Sequence, residues 1–217
     1  MLTDKGVHFL AIEGVIGAGK TSLARIIAER WNALCIEENY EENPFLEKFY
    51  ENKEAYAFQT QLFFLLDRHK QLQNSALQSD LFHDLIVSDY TYDKDQIFAS
   101  QNLVNDNEYA MYETVAKALS RDMPKPDLVV YLQASIPTLL NRIKSRGREM
   151  ERTIEGNYLK DLQDRYDHHF WHYEDAPVLI INTDNIDFVN NKIHLQMVLD
   201  AIAACPKQTT YFVPEAN

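Results

Sequence analysis

The residues whose types and spacing most directly predict chemistry lie near the N-terminus, at positions 14–21. Gly14, Gly17 and Gly19 precede Lys20 and Thr21 in the pattern G-x-x-x-x-G-K-[ST]. Glycines let backbone N–H groups surround an anion, the lysine reaches the terminal phosphates, and the hydroxyl holds Mg²⁺. The chain has only six glycines, and three of them lie in this pattern. A chance match is therefore disfavoured, and so is the interpretation as an ordinary glycine turn. We therefore predict a triphosphate site formed by Gly14, Val15, Ile16, Gly17, Ala18, Gly19, Lys20, Thr21 and Ser22.

Two carboxylates follow short apolar runs farther along the chain. Glu38 comes just after Leu34-Cys35-Ile36, and Asp89 ends the run that begins at Leu85. A carboxylate that takes a proton from an attacking hydroxyl accelerates such reactions by about 10²–10⁴-fold. Glu38 is thus either a general base or part of a solvated acidic turn. Asp89 either assists Mg²⁺, as strand-end acids do in P-loop enzymes, or caps the strand.

Five basic residues lie between positions 142 and 152 of a chain whose formal net charge is −12. Arg142 and Arg146 are four apart on a predicted helix, and Arg148 follows the helix-breaking Gly147. Arginine stabilises the charge of a migrating phosphoryl group, and a mobile cover excludes water from the reaction. We expect a lid over about residues 142–155; a solvated basic face is the alternative.

Gln59 is a polar residue inside an aromatic stretch that contains Tyr56, Phe58, Phe63 and Phe64. Aromatic residues at this spacing usually belong to the core. A buried amide needs a hydrogen-bonding partner, and the edge of a nucleobase is one hypothesis for Gln59.

These residues are positioned by alternating strands and helices. Five apolar runs, near residues 8–12, 34–36, 85–89, 128–132 and 178–181, alternate with helical patterns. This alternation predicts an α/β fold in which a five-stranded parallel sheet is covered on both faces, a three-layer α/β/α arrangement. Ligands bind at the carboxyl ends of such strands, where the glycine-rich loop, Glu38 and Asp89 all lie. We expect one domain over residues 1–217.

Composition restricts the partners. The acidic balance argues against binding to nucleic acid or to an anionic membrane surface. No apolar run is long enough to span a membrane, and the first strand begins too early for a signal peptide. Cys35 and Cys205 are expected to be buried, reduced thiols. These features together predict a cytoplasmic protein.

The same residues resemble a known family in their order and spacing, over about residues 8–203. The resemblance rests on the P-loop, Glu38, Tyr56-Ala57-Phe58-Gln59, Asp89, Ile97-Phe98-Ala99 and the segment 142–151. The chain is similar to the deoxynucleoside kinases, most of all to the bacterial deoxyguanosine/deoxyadenosine kinase branch. That branch is indicated by Asn43-Pro44-Phe45-Leu46, Ser88-Asp89-Tyr90 and Ser135-Ile136-Pro137.

The resemblance implies a P-loop kinase that uses ATP and Mg²⁺ to phosphorylate the 5′-hydroxyl of a deoxynucleoside, with purines preferred. It also implies a homodimer. The roles that it implies for acceptor residues are as follows: Glu38 as the base, Gln59 on the nucleobase edge, Phe98 stacked on the base, Phe58 lining the pocket, Asp89 near the substrate and the metal, and Tyr50 and Glu151 on the 3′-hydroxyl. For the donor, it implies that Lys20, Arg142, Arg146 and Arg148 stabilise the phosphates and that Asp187 and Phe188 lie by the adenine.

The chain departs from the family pattern at three positions. Family members often have an acidic-Arg-Ser triplet, where this chain has Asp89-Tyr90-Thr91; Lys94 or Arg68 is a candidate for the missing cation. Asn39 stands where proline often follows the catalytic glutamate. Some relatives have arginine seven residues after the base-reading glutamine, and counting from Gln59 that position is Leu66.

Two other functions use similar motifs. A nucleoside monophosphate kinase on the same scaffold would need a further basic site for the acceptor's phosphate. A GTPase-like switch reads guanine with Asn-Lys-x-Asp, and the nearest match, Asn191-Lys192-Ile193-His194, lacks the carboxylate. We therefore favour the deoxynucleoside kinase.

Overall fold

A six-stranded parallel sheet forms the centre of the molecule. The computed structural model describes residues 2–214, apart from the side chains of residues 75–82 and 122. In this part of the chain the strands are β1 (Phe9–Gly14), β2 (Leu34–Ile36), β3 (Ile86–Ser88), β4 (Leu128–Gln133), β5 (Val178–Asn182) and β6 (Thr210–Phe212). Their order across the sheet is β2-β3-β1-β4-β5-β6, and every neighbouring pair is parallel.

The parallel α/β fold was predicted correctly, but the expected number of strands was wrong. The additional strand is β6, three residues long and largely exposed, at the edge of the sheet beside β5. A strand of this kind needs no apolar run, because only one of its edges is paired and little of its surface is buried.

Helices cover both faces of the sheet. Leu10 and Ile12 of β1 belong to the largest buried cluster, which includes residues of α1, α6, α7 and α8. Phe9 and Ala11 point the other way, into a separate cluster that includes Leu72 of α3. Alternate residues of a strand face opposite sides, so these two clusters establish the three-layer arrangement. The helices are α1 (Lys20–Trp31), α2 (Leu46–Glu51), α3 (Lys53–Phe82), α4 (Lys94–Asn102), α5 (Asp106–Leu119), α6 (Ile136–Arg146), α7 (Gly156–Trp171) and α8 (Lys192–Ala204).

Two helices affect where candidate site residues lie. The sequence did not predict α4, whose first turn carries Lys94 and Asp95; both are buried, although charged residues usually indicate a surface loop. The closing helix α8 begins at Lys192, so Asp187 and Phe188, which the sequence assigned to the donor site, lie in the loop before it.

Other local expectations were met in part. Gly147, at φ 73°, ends α6, in agreement with its predicted helix-breaking role. Cys35 and Cys205 are free but half-buried rather than buried. Among the described residues, the longest apolar helical stretches fall short of what a membrane crossing requires.

Candidate active site

The glycine-rich loop joins β1 to the N-terminus of α1. Gly17 has a φ of 87°, and a Cβ there would lie 2.9 Å from the carbonyl oxygen of Leu139. Only glycine therefore fits between this loop and α6 without strain. At the N-terminus of α1, unpaired N–H groups and the helix dipole favour an anion.

Lys20 lies folded over this loop. Its Nζ donates to the carbonyl oxygens of Gly14, at 2.8 Å, and of Val15, at 3.2 Å. Burial and then the neighbouring Lys94 ammonium lower the pKa of Lys20 to about 8. Within the described part of the chain the hydrogen bonds of Lys20 go to carbonyl oxygens, so a phosphate bound in the loop would supply a directly paired anion. The Val15 side chain is buried in the core, so Val15 contributes its backbone carbonyl to this site.

Thr21 and Asp89 form a pair of oxygen donors beside the loop. The Thr21 hydroxyl donates to Asp89 Oδ2. Hydroxyl and carboxylate oxygens suit Mg²⁺, which usually keeps several water and phosphate ligands in addition to one or two from the protein. Among the described residues, no group of three or more His, Cys, Asp and Glu side chains could hold a metal ion. The donor set thus fits an Mg²⁺ that is carried largely by a nucleotide.

Glu38 lies between two buried cations. Arg68 donates to its Oε1, and Lys94 Nζ donates to its Oε2 at 2.9 Å. Its backbone N–H also donates to Asp89 Oδ1 at 2.9 Å. Burial alone would raise the pKa of Glu38, but Lys94 and Arg68 hold it well below its usual range. The carboxylate is therefore anionic and fixed in orientation.

The neighbouring acidic residues have a different environment. Glu37 pairs with the exposed Arg25 at 2.6 Å, and Glu41 and Glu42 are exposed. Of the residues in this acidic stretch, Glu38 is thus the one held by buried cations, and the solvated-turn interpretation does not describe it.

A cavity of about 520 Å³ lies beside Glu38 and the glycine-rich loop. The elements that form it include α1, α2, α3 and α4 and the segment after α6. The predicted site residues that line it are Ile16, Gly17, Lys20, Thr21, Glu38, Tyr50, Asp89, Phe98, Arg146, Arg148 and Glu151.

Two of the residues predicted to bind the acceptor do not line this cavity. Gln59 is exposed, and Phe58 is half-buried against a cluster that includes Leu46 and Phe49. The prediction for both is corrected, because they lie on other faces of α3. Gln61, which is 3% exposed, lines the cavity instead. Two residues along a helix turn the side chain by about 200°, so Gln59 and Gln61 face nearly opposite directions.

Moving the base-reading position from Gln59 to Gln61 also changes which residue lies seven positions later. The residue seven positions after Gln61 is Arg68, which is buried. Leu66, which is seven positions after Gln59, is exposed. Positions seven apart lie on one face of a helix, and Arg68 lines the same cavity as Gln61. Besides Glu38, Arg68 binds Asp95. Burial raises the pKa of Asp95 to about 6, against the opposing effect of Arg68.

The segment after α6 places two of the three predicted arginines at the cavity. Arg146 and Arg148 both donate to Glu151, at 2.6 Å and 3.3 Å, and Glu151 is 5% exposed. The Arg148 guanidinium also lies 3.7 Å from the centroid of the Tyr40 ring. These contacts hold both arginines near the loop.

Arg142 has a different position from the other two arginines. Its guanidinium donates to Thr183 Oγ1 at 2.9 Å and to the Thr183 carbonyl at 2.7 Å. It therefore anchors α6 to the loop after β5 and does not line the first cavity. Instead, it lines a second cavity of about 630 Å³, together with Ala18, Gly19, Ser22, Arg146, Asp187 and Phe188.

The loop before α8 forms one wall of this second cavity. Phe188 is 3% exposed, and a Cβ on Gly19 would lie 2.8 Å from its ring. Asp187 accepts hydrogen bonds from the N–H groups of Val189 and Asn190, at 3.0 Å and 2.9 Å, and so holds the turn. The glycine-rich loop thus separates two cavities.

Sequence reasoning missed Gln61 in the first cavity, and it named Arg68 and Lys94 only as alternative candidates for one missing cation, whereas both line the cavity. The seven-residue spacing of Gln61 and Arg68 was a usable signal for a shared helix face. Lys94 and Phe98 are four apart in α4, so they too share a face. That signal was hidden because the helix itself was not predicted.

The fold and the paired cavities define a P-loop nucleotide-binding protein. The family model described as deoxynucleoside kinase matches residues 10–205. The chain is 38% identical to the deoxyguanosine kinase of Bacillus subtilis (strain 168) over 88% of its own length and 93% of that protein. It is 32% identical to the deoxyadenosine kinase of Lactobacillus acidophilus, over 90% of this chain and 95% of that one.

A solved structure has the same fold. The deoxyadenosine kinase of M. mycoides with bound dATP superposes with a TM-score of 0.77 at 27% identity, over 90% of this chain and 99% of that chain. The chain belongs to the deoxynucleoside kinase family. It is accordingly a phosphotransferase that acts on nucleosides.

Proposed function

We propose that this protein transfers the terminal phosphoryl group of ATP to the 5′-hydroxyl of a purine deoxynucleoside, within one domain. The observation that carries the proposal is the position of Glu38. Its anionic carboxylate lies in the wall of a cavity that also contains Lys20 and Thr21 of the phosphate-binding loop. A hydroxyl in the cavity is thus placed between a base and a phosphate donor.

The acceptor occupies the first cavity. Glu38 takes the proton of the 5′-hydroxyl, and Tyr50 and Glu151 bind the 3′-hydroxyl. Phe98 stacks on the base, and Gln61 replaces Gln59 as the residue that reads its edge. The volume of about 520 Å³ is within the range that small ligands occupy in proteins.

The donor occupies the loop and the second cavity. The triphosphate lies on Gly14–Ser22, and the adenine lies against Phe188 and beside Asp187. Mg²⁺, held by Thr21 and Asp89, would neutralise charge on the phosphates. Arg146 and Arg148 close over the phosphates as a lid across about residues 142–155. Arg142 supports this wall of the donor site through its bonds to Thr183.

A purine preference is supported by the relatives, which include deoxyguanosine and deoxyadenosine kinases. Thr60, Gln61 and Arg68 give the cavity a polar wall. The donors and acceptors on the edge of a nucleobase can form hydrogen bonds with such a wall.

We further propose a cytoplasmic homodimer, which follows from the family resemblance. Sedimentation velocity measures the assembly directly, and a monomer across the working concentration range would contradict it.

The test of the function is a substitution at Glu38 with its neighbour as control. Glu38→Gln should lower kcat by about 10²–10⁴-fold, because the amide cannot accept the proton. Glu37 also lines the cavity, but Glu37→Gln removes an ion pair with the exposed Arg25 and leaves both cations on Glu38 in place, so kcat should stay within about twofold. Phosphorylation of the four deoxynucleosides with ATP gives kcat and kcat/KM for each variant.

The same assay separates the alternatives. A near-normal kcat for Glu38→Gln would refute the assignment of the base. A preference for deoxyguanosine monophosphate over deoxyguanosine would indicate a monophosphate kinase. Rapid GTP hydrolysis without an acceptor would instead indicate a nucleotide switch.

A further inference from the structure

Lys94 is a buried cation at the reaction centre that the proposed roles above leave unused. It is the first residue of α4, it is 4% exposed, and it lines the same cavity as Lys20 and Glu38. Its Nζ lies 2.9 Å from Glu38 Oε2 and 5.8 Å from the centroid of the Phe98 ring. A buried ammonium group is costly unless it is paired, and the partner of Lys94 is Glu38.

Arg68 and Lys94 differ in how many carboxylates they bind. Arg68 is held by Asp95 and by Glu38, which occupy its two terminal nitrogens. The Lys94 ammonium has three N–H donors, and among the described residues its hydrogen-bonding partner is Glu38. Lys94 therefore keeps two N–H donors for an incoming anion, whereas the Nε of Arg68, which has no partner in the part of the chain that the structure describes, is fully buried.

The proposed reaction changes the charge beside Lys94. When Glu38 accepts the proton of the hydroxyl, its carboxylate becomes neutral and Lys94 loses its counter-ion. At the same step a negatively charged phosphoryl group arrives on the oxygen that Glu38 has deprotonated. A cation within hydrogen-bonding distance of Glu38 is thus near the place where the new charge appears.

We propose, on the basis of the function proposed above, that Lys94 is a catalytic residue that donates a hydrogen bond to the migrating phosphoryl group. The proton of the 5′-hydroxyl moves to Glu38 while the bond between the 5′-oxygen and the terminal phosphorus forms. The bond from that phosphorus to the bridging oxygen breaks, and its electron pair leaves on ADP. Lys94 stays protonated, and its hydrogen bond shifts from the neutralised carboxyl of Glu38 to an oxygen of the phosphoryl group.

The test compares Lys94→Met with Lys94→Arg and measures chemistry separately from binding. Loss of one preorganised donor typically lowers kcat by about 10²–10³-fold, and we expect this for Lys94→Met. Its Kd for deoxyguanosine, measured by calorimetry, should stay within about fivefold, because the bond is made mainly in the transition state. Lys94→Arg keeps the charge and should recover at least about tenfold of kcat.

The control is Lys125→Met, which removes an exposed lysine paired with Asp175 and should leave kcat and Kd unchanged. Circular dichroism checks folding. Should Lys94→Met fail to fold, Lys94→Ala with added methylammonium takes its place, since the small cation can occupy the vacated space. Restored kcat supports the proposal, and no restoration in a folded variant overturns it.

The remaining outcomes are distinct. A kcat for Lys94→Met close to that of the unsubstituted enzyme overturns the role of Lys94 alone. A loss confined to Kd or KM, with kcat intact, shows that Lys94 only supports the nucleoside site and also overturns it. An unsubstituted enzyme that phosphorylates no deoxynucleoside overturns the proposed function, and the role of Lys94 with it.

Discussion

Replacing Gln61 and Gln59 in parallel tests which face of α3 reads the base. Gln61 is 3% exposed at the cavity, whereas Gln59 is exposed on another face of the same helix. Leucine is similar in size to glutamine but cannot form hydrogen bonds. Gln61→Leu therefore removes the bonds to the base and leaves its polar edge unpaired.

The structure sets the scale of this effect. A buried hydrogen-bonding group left without its partner costs about 1–3 kcal/mol. At about 1.4 kcal/mol per factor of ten, kcat/KM for deoxyguanosine should fall by about 5–150-fold. Gln59→Leu changes only an exposed side chain, so kcat/KM should change by less than about twofold.

A coupled assay for ADP formation with each of the four deoxynucleosides provides the measurement. The loss for Gln61→Leu should differ among the bases, because their edges present different donors and acceptors. Equal losses for the two variants would refute the assignment of the helix face. So would a Gln61→Leu variant whose kcat/KM is unchanged for every nucleoside.

Two further predictions concern the donor side. Gly19→Ala places a Cβ 2.8 Å from the Phe188 ring at a φ of 101°, so we expect a lower Tm and a raised KM for ATP. The control is Gly6→Ala, where φ is 80° and no atom lies within 4 Å of the new Cβ. Backbone strain should lower its free energy of unfolding by about 1–3 kcal/mol and leave its KM for ATP unchanged. An unchanged KM for ATP in Gly19→Ala would contradict the role of Phe188. Because burial lowers the pKa of Lys20 to about 8, its ammonium loses its proton above that pH, and kcat/KM for ATP should then fall by up to about tenfold per pH unit. A profile that stays flat through this range would show that the donor phosphates do not depend on the Lys20 charge.

The sequence predicted the features that depend on local pattern. The glycine-rich loop is specified by residue type and spacing, and the apolar runs of β1, β4 and β5 are buried on both faces, so both signals are contained within a few residues. Glu38 and Asp89 could be placed near this loop because parallel strands end at one edge of a sheet.

The features that were missed depend on tertiary contacts. In α3, apolar residues occur on more than one face, so periodicity did not determine whether Gln59 or Gln61 faces the cavity. The first turn of α4 contains Lys94 and Asp95, whose burial depends on partners far away in sequence, Glu38 and Arg68. Strand β6 is stabilised by pairing with β5 rather than by its own composition.

The two bonds of Arg68 have a consequence for changing the specificity of this enzyme. One guanidinium joins Asp95 to Glu38, so the wall proposed to recognise the base and the carboxylate proposed as the general base share a residue. An engineer who replaces Arg68 to admit another nucleobase would also release one oxygen of Glu38. Libraries directed at new nucleoside analogues should therefore vary Gln61 and Thr60 and keep Arg68 fixed, so that selectivity can change while the geometry of phosphoryl transfer is retained.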